Sequence, residues 1–224
     1  MKKYSFSSIV TEAFRDNLGW EKAWAKPKPK KEYEVIIVGG GGHGLATAYY
    51  LAKNYNVTDI AVIEKGWIGG GNTGRNTTII RSNYLQESSI GIYEKSRFLY
   101  ETLSQDLNYN IMFSPRGVLM LCQTEHELRA MKRTSHANRI NGVDTKMVTP
   151  DEVKEIVPII NIDGPRFPVL GALWQPRGGT ARHDAVAWGY ARKCSNYGID
   201  IICLLYTSDA ADEGLGVDLG GRRI

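Results

Sequence analysis

The run EVIIVGGGGHGLATAYYLAKNYNVTDIAVIEK, Glu34 to Lys65, decides how the rest of the chain is read. It opens on a short apolar, β-branched segment, Glu34–Val38, of the kind that forms a central parallel strand. Glycines follow. A helix is then expected from about Gly42 to Asn54, because Leu45, Ala48, Tyr49 and Ala52 recur at helical spacing. A second apolar strand, Asp59–Ile63, ends on Glu64. Strand, helix and strand of this length imply a right-handed crossover with parallel strands.

The glycines GGGGHG, Gly39 to Gly44, fit the spacing GxGxxG through Gly39, Gly41 and Gly44. Gly39 makes the tight turn off the strand, Gly41 lets the backbone approach a pyrophosphate, and Gly44 lets the helix lie close to the sheet. The pyrophosphate then faces the backbone N–H groups at the positive end of the helix. His43 is read as a loop residue whose backbone does the binding. Glu64 lies twenty residues past Gly44, placed to accept hydrogen bonds from ribose hydroxyls. A carboxylate there repels a 2′-phosphate, which disfavours NADP. The fingerprint alone leaves NAD and FAD open.

The stretch KGWIGGGNTGRNTTIIRSNY, Lys65 to Tyr84, adds a second glycine cluster and the polar residues Asn72, Arg75, Asn76 and Thr77. Such a stretch suits a long cofactor, FAD, running on toward an isoalloxazine; the alternative is a surface loop followed by a strand, TTIIRS.

Composition narrows the remaining choices. The chain has 224 residues, with 28 Lys or Arg against 24 Asp or Glu, a formal net charge of +4. So small and dispersed a surplus argues against a nucleic-acid partner. KPKPKK, Lys26 to Lys31, reads as a solvated, extended linker after an irregular arm whose Trp20 and Trp24 pack on the body or on a partner. Cys122, Cys194 and Cys203 form no CxxC pair and suit a reducing compartment. No apolar run is long enough for a bilayer, and the first residues lack a signal-peptide core. A cytoplasmic protein without a membrane partner is the expectation. His126 and His136 form no HxxxH and receive no function, so no metal site is expected.

Farther along, Glu87–Leu107 reads as a helix, Gly117–Cys122 as a strand, and FPVLGALWQP as another. Thr124 with Glu127, and Thr149 with Glu152 after Pro150, are capping boxes that start two more helices, the first stopped at Asn141-Gly142. Trp174 reads as core or interface packing. A last strand is expected at Gly198–Ile202. The segment CLLYTSDAADEGLGVDLGGRRI, Cys203 to Ile224, resembles translated adapter sequence and is expected to be a non-native tail on a truncated chain. The expected fold class is α/β: a Rossmann-like FAD-binding domain with part of an interleaved β-rich substrate domain. The expected divisions are 1–33 arm and linker, 34–107 dinucleotide fold, 108–176 substrate or interface domain, 177–202 a histidine-bearing helix and return strand, and 203–224 tail.

The segment Lys30–Leu85, with GIYEKS, FSPRGVL, NGVD, VPIINI, PVLGALWQPRGG and RHDAVAWGYARK after it, closely resembles the beta subunits of heterotetrameric sarcosine oxidases. The likeness covers roughly Trp24 to Ile202 and implies the N-terminal half of such a subunit. It implies a non-covalent FAD, where sarcosine is oxidised, and an FMN bound covalently to a histidine. Electrons then pass from FAD to FMN and on to oxygen, giving hydrogen peroxide, while the methyl group leaves as formaldehyde or is captured by tetrahydrofolate. The implied partners are alpha, gamma and delta subunits. The FAD contacts implied are Gly42, His43, Glu64, Asn72, Arg75 and Thr77, although NTGRNTT departs from the usual NMARNTT.

FMN attachment falls on His183, in Arg182-His183-Asp184 before Val186-Ala187-Trp188, with Arg182 as a neighbouring contact. Locally, Asp184 reads as the N-cap of a helix, with His183 exposed just before it, its ring outward. A neutral imidazole there can attack the 8α-methyl carbon of an activated flavin, and Arg182 can pair with a phosphate. The catalytic residues are unknown at this stage, with the grip on the substrate carboxylate expected in the missing half. Two other readings stand: a related FAD-dependent amine or dimethylglycine dehydrogenase with covalent FAD, and an inert fragment.

Overall fold

A computed structural model describes residues 5–16, 25 and 27–203. Trp20, Trp24 and residues 204–224, including all of the expected tail but Cys203, lie outside the described residues. In chain order the elements are α1 (Phe6–Ala13), β1 (Val35–Val38), α2 (Gly42–Tyr55), β2 (Ile60–Glu64), a 3-10 turn (Asn72–Arg75), β3 (Ile79–Ile80) and α3 (Glu87–Leu107). There follow β4 (Val118–Cys122), α4 (Glu125–Ile140), β5 (Lys146–Val148), α5 (Pro150–Ile156), β6 (Gly171–Gln175), β7 (Gly179–Thr180), α6 (His183–Asn196) and β8 (Asp200–Cys203). Four of these were not expected: α1, which lies inside the arm read as irregular, the 3-10 turn, and the short strands β5 and β7; in addition Cys203 belongs to β8 and not to the tail.

The described residues fall into two compact units, one within Met1–Ile68 and Tyr190–Ile224, the other Gly69–Gly189. The division therefore falls after Ile68, where the sequence reading put it after Leu107. Helix α3 clusters with the second unit.

The first unit holds a parallel sheet in the order β1-β2-β8. Val35 pairs with Ile60 and Val38 with Ile63, while Ala61 pairs with Asp200 and Glu64 with Cys203. β2 is central and its Ile60, Ala61 and Val62 are buried. β1 was expected to be the central strand, but its Ile36 and Val38 are 56% and 72% exposed. An apolar β-branched run reports a strand built to be covered; it does not report strand order. Helix α2 buries Leu45, Ala48, Tyr49 and Ala52, the expected face. Burying a side chain of leucine size contributes about 1.5–3 kcal/mol. The α2 helix ends on Asn56 in the left-handed region, its N–H returning to the Ala52 and Leu51 carbonyls. Tyr49 packs against Tyr190 and Tyr197, and the Cys194 thiol donates to the Leu45 carbonyl at 3.5 Å.

The second unit is organised by an antiparallel sheet in the order β4-β6-β5. Val148, Val153, Val169 and Ala172 form its buried cluster, with Leu119, Ile156 and Trp174 packed on them. Trp174 thus takes the packing role expected of it. Both capping boxes form, at Thr124 with Glu127 and at Thr149 with Glu152. Glu127 accepts from the Gln123 and Thr124 N–H groups and Glu152 from the Thr149 N–H, which pulls each carboxyl below the ordinary glutamate range. A two-stranded ribbon, β3 with β7, pairs Ile79 with Thr180 and Ile80 with Gly179. His126 and His136 are exposed on α4.

Candidate functional site

The expected site residues lie in two places, one in each unit. In the first unit the chain leaves β1 through Gly39, whose φ of +111° is open to glycine and costly for other residues. Its N–H donates to the Ile63 carbonyl at 2.7 Å, so the turn continues the β1–β2 ladder by one rung. Gly41 is the N-cap of α2, and no side chain caps that end. The first turn of α2 contains no acid. The positive end of the helix is therefore left for a ligand anion. A Cβ on Gly44 would fall well inside contact with the Gly39 carbonyl oxygen, so only glycine lets helix and turn approach this closely.

Glu64, at the end of β2, closes the arrangement. Its Oε2 accepts from the Gly40 N–H at 2.7 Å and its Oε1 from the Gly66 N–H at 2.8 Å. A carboxylate offers about four lone-pair positions, and these two bonds use half of them. The rest can accept ribose hydroxyls. Glycine loop, uncapped helix end and half-engaged acid fit the adenosine diphosphate portion of FAD. His43, read from the sequence as a loop residue, is the second residue of α2; its side chain is exposed and its carbonyl accepts from the Thr47 hydroxyl at 2.8 Å.

In the second unit, Asn72, Arg75 and Thr77 are exposed on the segment that runs from the 3-10 turn to β3. Asn76 organises that segment. Its Nδ2 donates to the Thr73 carbonyl at 2.6 Å and its Oδ1 accepts from the Thr78 N–H at 2.7 Å. The Thr78 carbonyl accepts from the Ala181 N–H at 3.1 Å, and the Arg182 N–H donates to the Ile111 carbonyl at 3.0 Å. The backbone thus brings the 72–78 segment beside the segment that ends on His183.

His183 is the first residue of α6, not a residue ahead of a cap. It is half-buried, and its Nδ1 is enclosed without a hydrogen-bond partner. This corrects the exposed, outward ring expected from the sequence. Asp184 is not the N-cap. Its carboxylate accepts from the adjacent Ala185 N–H at 2.8 Å and pairs with the exposed Arg182 guanidinium. Arg182 holds the Asp184 carboxyl below its ordinary value. An enclosed, unpaired Nδ1 leaves Nε2 as the nitrogen for a covalent bond, so the ring fits a flavin attachment point.

Sequence reasoning missed Arg81, directly after β3. Its Nη1 donates to Asn83 Oδ1 at 2.7 Å, and its guanidinium stands 4.3 Å from the Tyr84 ring centroid. Tyr84 in turn stacks on Tyr93 at 4.2 Å. Among the described residues Arg81 pairs with no carboxylate. By contrast, Arg97 is buried on α3 and pairs with both Glu94 and Glu101, and Glu101 also takes Arg177 at 2.8 Å. Ser82 links the two regions. Its hydroxyl donates to Glu94 and accepts from Gln175 Nε2 at 2.6 Å, and its N–H donates to Gln175 Oε1 at 3.1 Å. The signal in the sequence was a basic residue one place before the end of TTIIRS, but its lack of an acid partner among the described residues is a tertiary fact.

No group of His, Cys, Asp and Glu that could hold a metal occurs among the described residues. Burial pushes the Cys194 thiol up to about 12, so it behaves as an apolar side chain and not as a nucleophile. Among the described residues no helix is long and apolar enough to cross a membrane.

Comparison with known proteins places these features in context. Residues 34–212 match the family of FAD dependent oxidoreductases. The chain is 63% identical over 221 residues to the Sarcosine oxidase subunit beta of Rhodobacter capsulatus, covering 97% of this chain and 53% of that protein. It is 60% identical over 183 residues to the protein of the same name from an Arthrobacter species, covering 81% of this chain and 45% of that one. Among solved structures, L-proline dehydrogenase from P. horikoshii superposes with a TM-score of 0.71 at 31% identity, over 79% of this chain and 45% of that one. The chain spans about half the length of the relatives it matches.

Proposed function

This chain belongs to the FAD dependent oxidoreductase family, and we propose that it is the flavin-holding N-terminal half of a sarcosine oxidase beta subunit. The observation that carries the substrate is the 63% identity, over 97% of the chain, to a protein named as that subunit. The reaction is the oxidative demethylation of N-methylglycine to glycine, with formaldehyde and hydrogen peroxide as the other products. The partners are the alpha, gamma and delta subunits.

When bound, non-covalent FAD supplies the hydride acceptor for the N-methyl group, and FMN the outlet for those electrons to oxygen. The residues of this chain hold and orient. Gly39, Gly41 and Gly44 let the backbone approach a pyrophosphate, whose charge the N-terminus of α2 complements. Glu64, fixed by Gly40 and Gly66, binds ribose hydroxyls and repels a 2′-phosphate. Asn72, Arg75 and Thr77 contact the FAD beyond its adenosine. Arg81 grips the substrate carboxylate: a planar guanidinium with no acid partner, braced on the Tyr84 ring, presents a fork that suits two oxygens. His183 bonds FMN through Nε2, and Arg182, released from Asp184, offers its fork to the FMN phosphate.

The test is turnover by the full-length protein with its partner subunits. Oxygen uptake and formaldehyde should appear together with N-methylglycine, and much more slowly with proline. Equal or faster uptake with proline would overturn the substrate assignment.

A further inference from the structure

Thr78 has a φ of +62°. A β-branched residue in the left-handed region is strained, because its Cβ crowds the backbone, and such strain persists only where the surroundings over-determine it. Three hydrogen bonds do so here. Asn76 Oδ1 takes the Thr78 N–H at 2.7 Å, Asn76 Nδ2 holds the Thr73 carbonyl at 2.6 Å, and the Thr78 carbonyl takes the Ala181 N–H at 3.1 Å. Thr78 opposite Ala181 continues the antiparallel register of Ile79 with Thr180 and Ile80 with Gly179. The strained residue therefore sits where the ribbon ends and the chain turns into segment 72–77. The residue opposite it leads directly into Arg182 and His183.

We infer that Thr78 and Asn76 are positioning residues that lock segment 72–77 in one conformation and tie it, through Ala181, to His183. This rests on the reading of those two segments as flavin-holding. A relaxed turn would leave the ribbon intact and let segment 72–77 take several directions. Strain at Thr78 then serves the fit of both segments.

The two roles separate in Thr78→Gly, made in the full-length protein. Glycine adopts the same φ without strain, at some cost in chain entropy. The expected result is an unfolding midpoint at or near that of the unmodified protein, with the dissociation constant for FAD raised about tenfold. Covalent flavin at His183, read by mass, falls with it. Asn76→Ala should weaken FAD likewise, and Asn76→Asp, which keeps the acceptor for Thr78 and loses the donor to Thr73, should recover part of it. Unchanged FAD affinity and His183 loading in Thr78→Gly would overturn the inference, whatever the midpoint. If Thr78→Gly lowers the midpoint, the Asn76 pair decides: equal losses in both variants would also overturn it. An unmodified His183 in the parent protein would sink the FMN assignment alone, leaving FAD affinity to judge this one.

Discussion

The Glu64 carboxylate accepts the Gly40 N–H at 2.7 Å, so the acid at the end of β2 holds the glycine turn at the end of β1. One side chain fixes the glycine loop and, in the function proposed above, also binds the ribose. Glutamine has one acceptor oxygen and cannot hold Gly40 and Gly66 together. Hydrogen bonds to a charged partner are worth about 1.5–3 kcal/mol each. Glu64→Gln should therefore raise the FAD dissociation constant by about ten- to a hundredfold, read by flavin fluorescence during dilution. Wild-type affinity would mean the ribose is bound elsewhere.

Gly44→Ala tests the close approach of helix and turn. The added Cβ meets the Gly39 carbonyl, which is backbone and can yield only if α2 moves. The expected loss is about 2–3 kcal/mol, seen as a lower urea midpoint at constant slope. An unchanged midpoint would show that α2 can move away from the turn without cost.

Arg81→Met keeps the length of the side chain and removes its fork. KM for N-methylglycine should rise at least about tenfold, with a smaller fall in kcat, as expected for a residue that binds ground state and transition state alike. Arg81→Lys should fall between. An unchanged KM would move the carboxylate grip off this residue.

Glu94→Gln reads out the buried pair on α3. Arg97, and then Ser82, hold the Glu94 carboxyl below its ordinary value in the folded protein. That depression contributes stability present above the ordinary carboxylate range of about 4.3, and lost as pH falls through the folded value. At neutral pH the variant should be about 2 kcal/mol less stable, less than the 3–5 expected of a fully orphaned buried charge because Glu101 still pairs with Arg97. In acid the two proteins should converge. Parallel stability curves down to low pH would contradict this.

The part of the fold legible in the sequence is the part written locally. The strand–turn–helix–strand of β1 to β2 follows from periodicity and glycine spacing, and both capping boxes from a threonine three residues before a glutamate. The order of the parallel sheet was not legible, because β1 and β2 carry the same apolar pattern whichever is central. Helix α1 carries its apolar residues within eight positions, too few for periodicity to separate it from an irregular arm. The site divides in the same way. Glu64 announces itself by distance from the glycines. The enclosure of His183 Nδ1, the missing acid partner of Arg81 and the strain at Thr78 arise where distant parts of the chain meet, as at Thr78 and Ala181. No local spacing encodes them.

The central claim is that this chain holds one flavin by its glycine loop and Glu64 and the other by a bond to His183. Mass analysis of the peptide containing His183, from the full-length protein purified with its bound flavins, tests it most directly. The account predicts a mass increase corresponding to FMN, absent in His183→Ala, while that variant still releases FAD on denaturation. An unmodified peptide, or one carrying FAD, would contradict it.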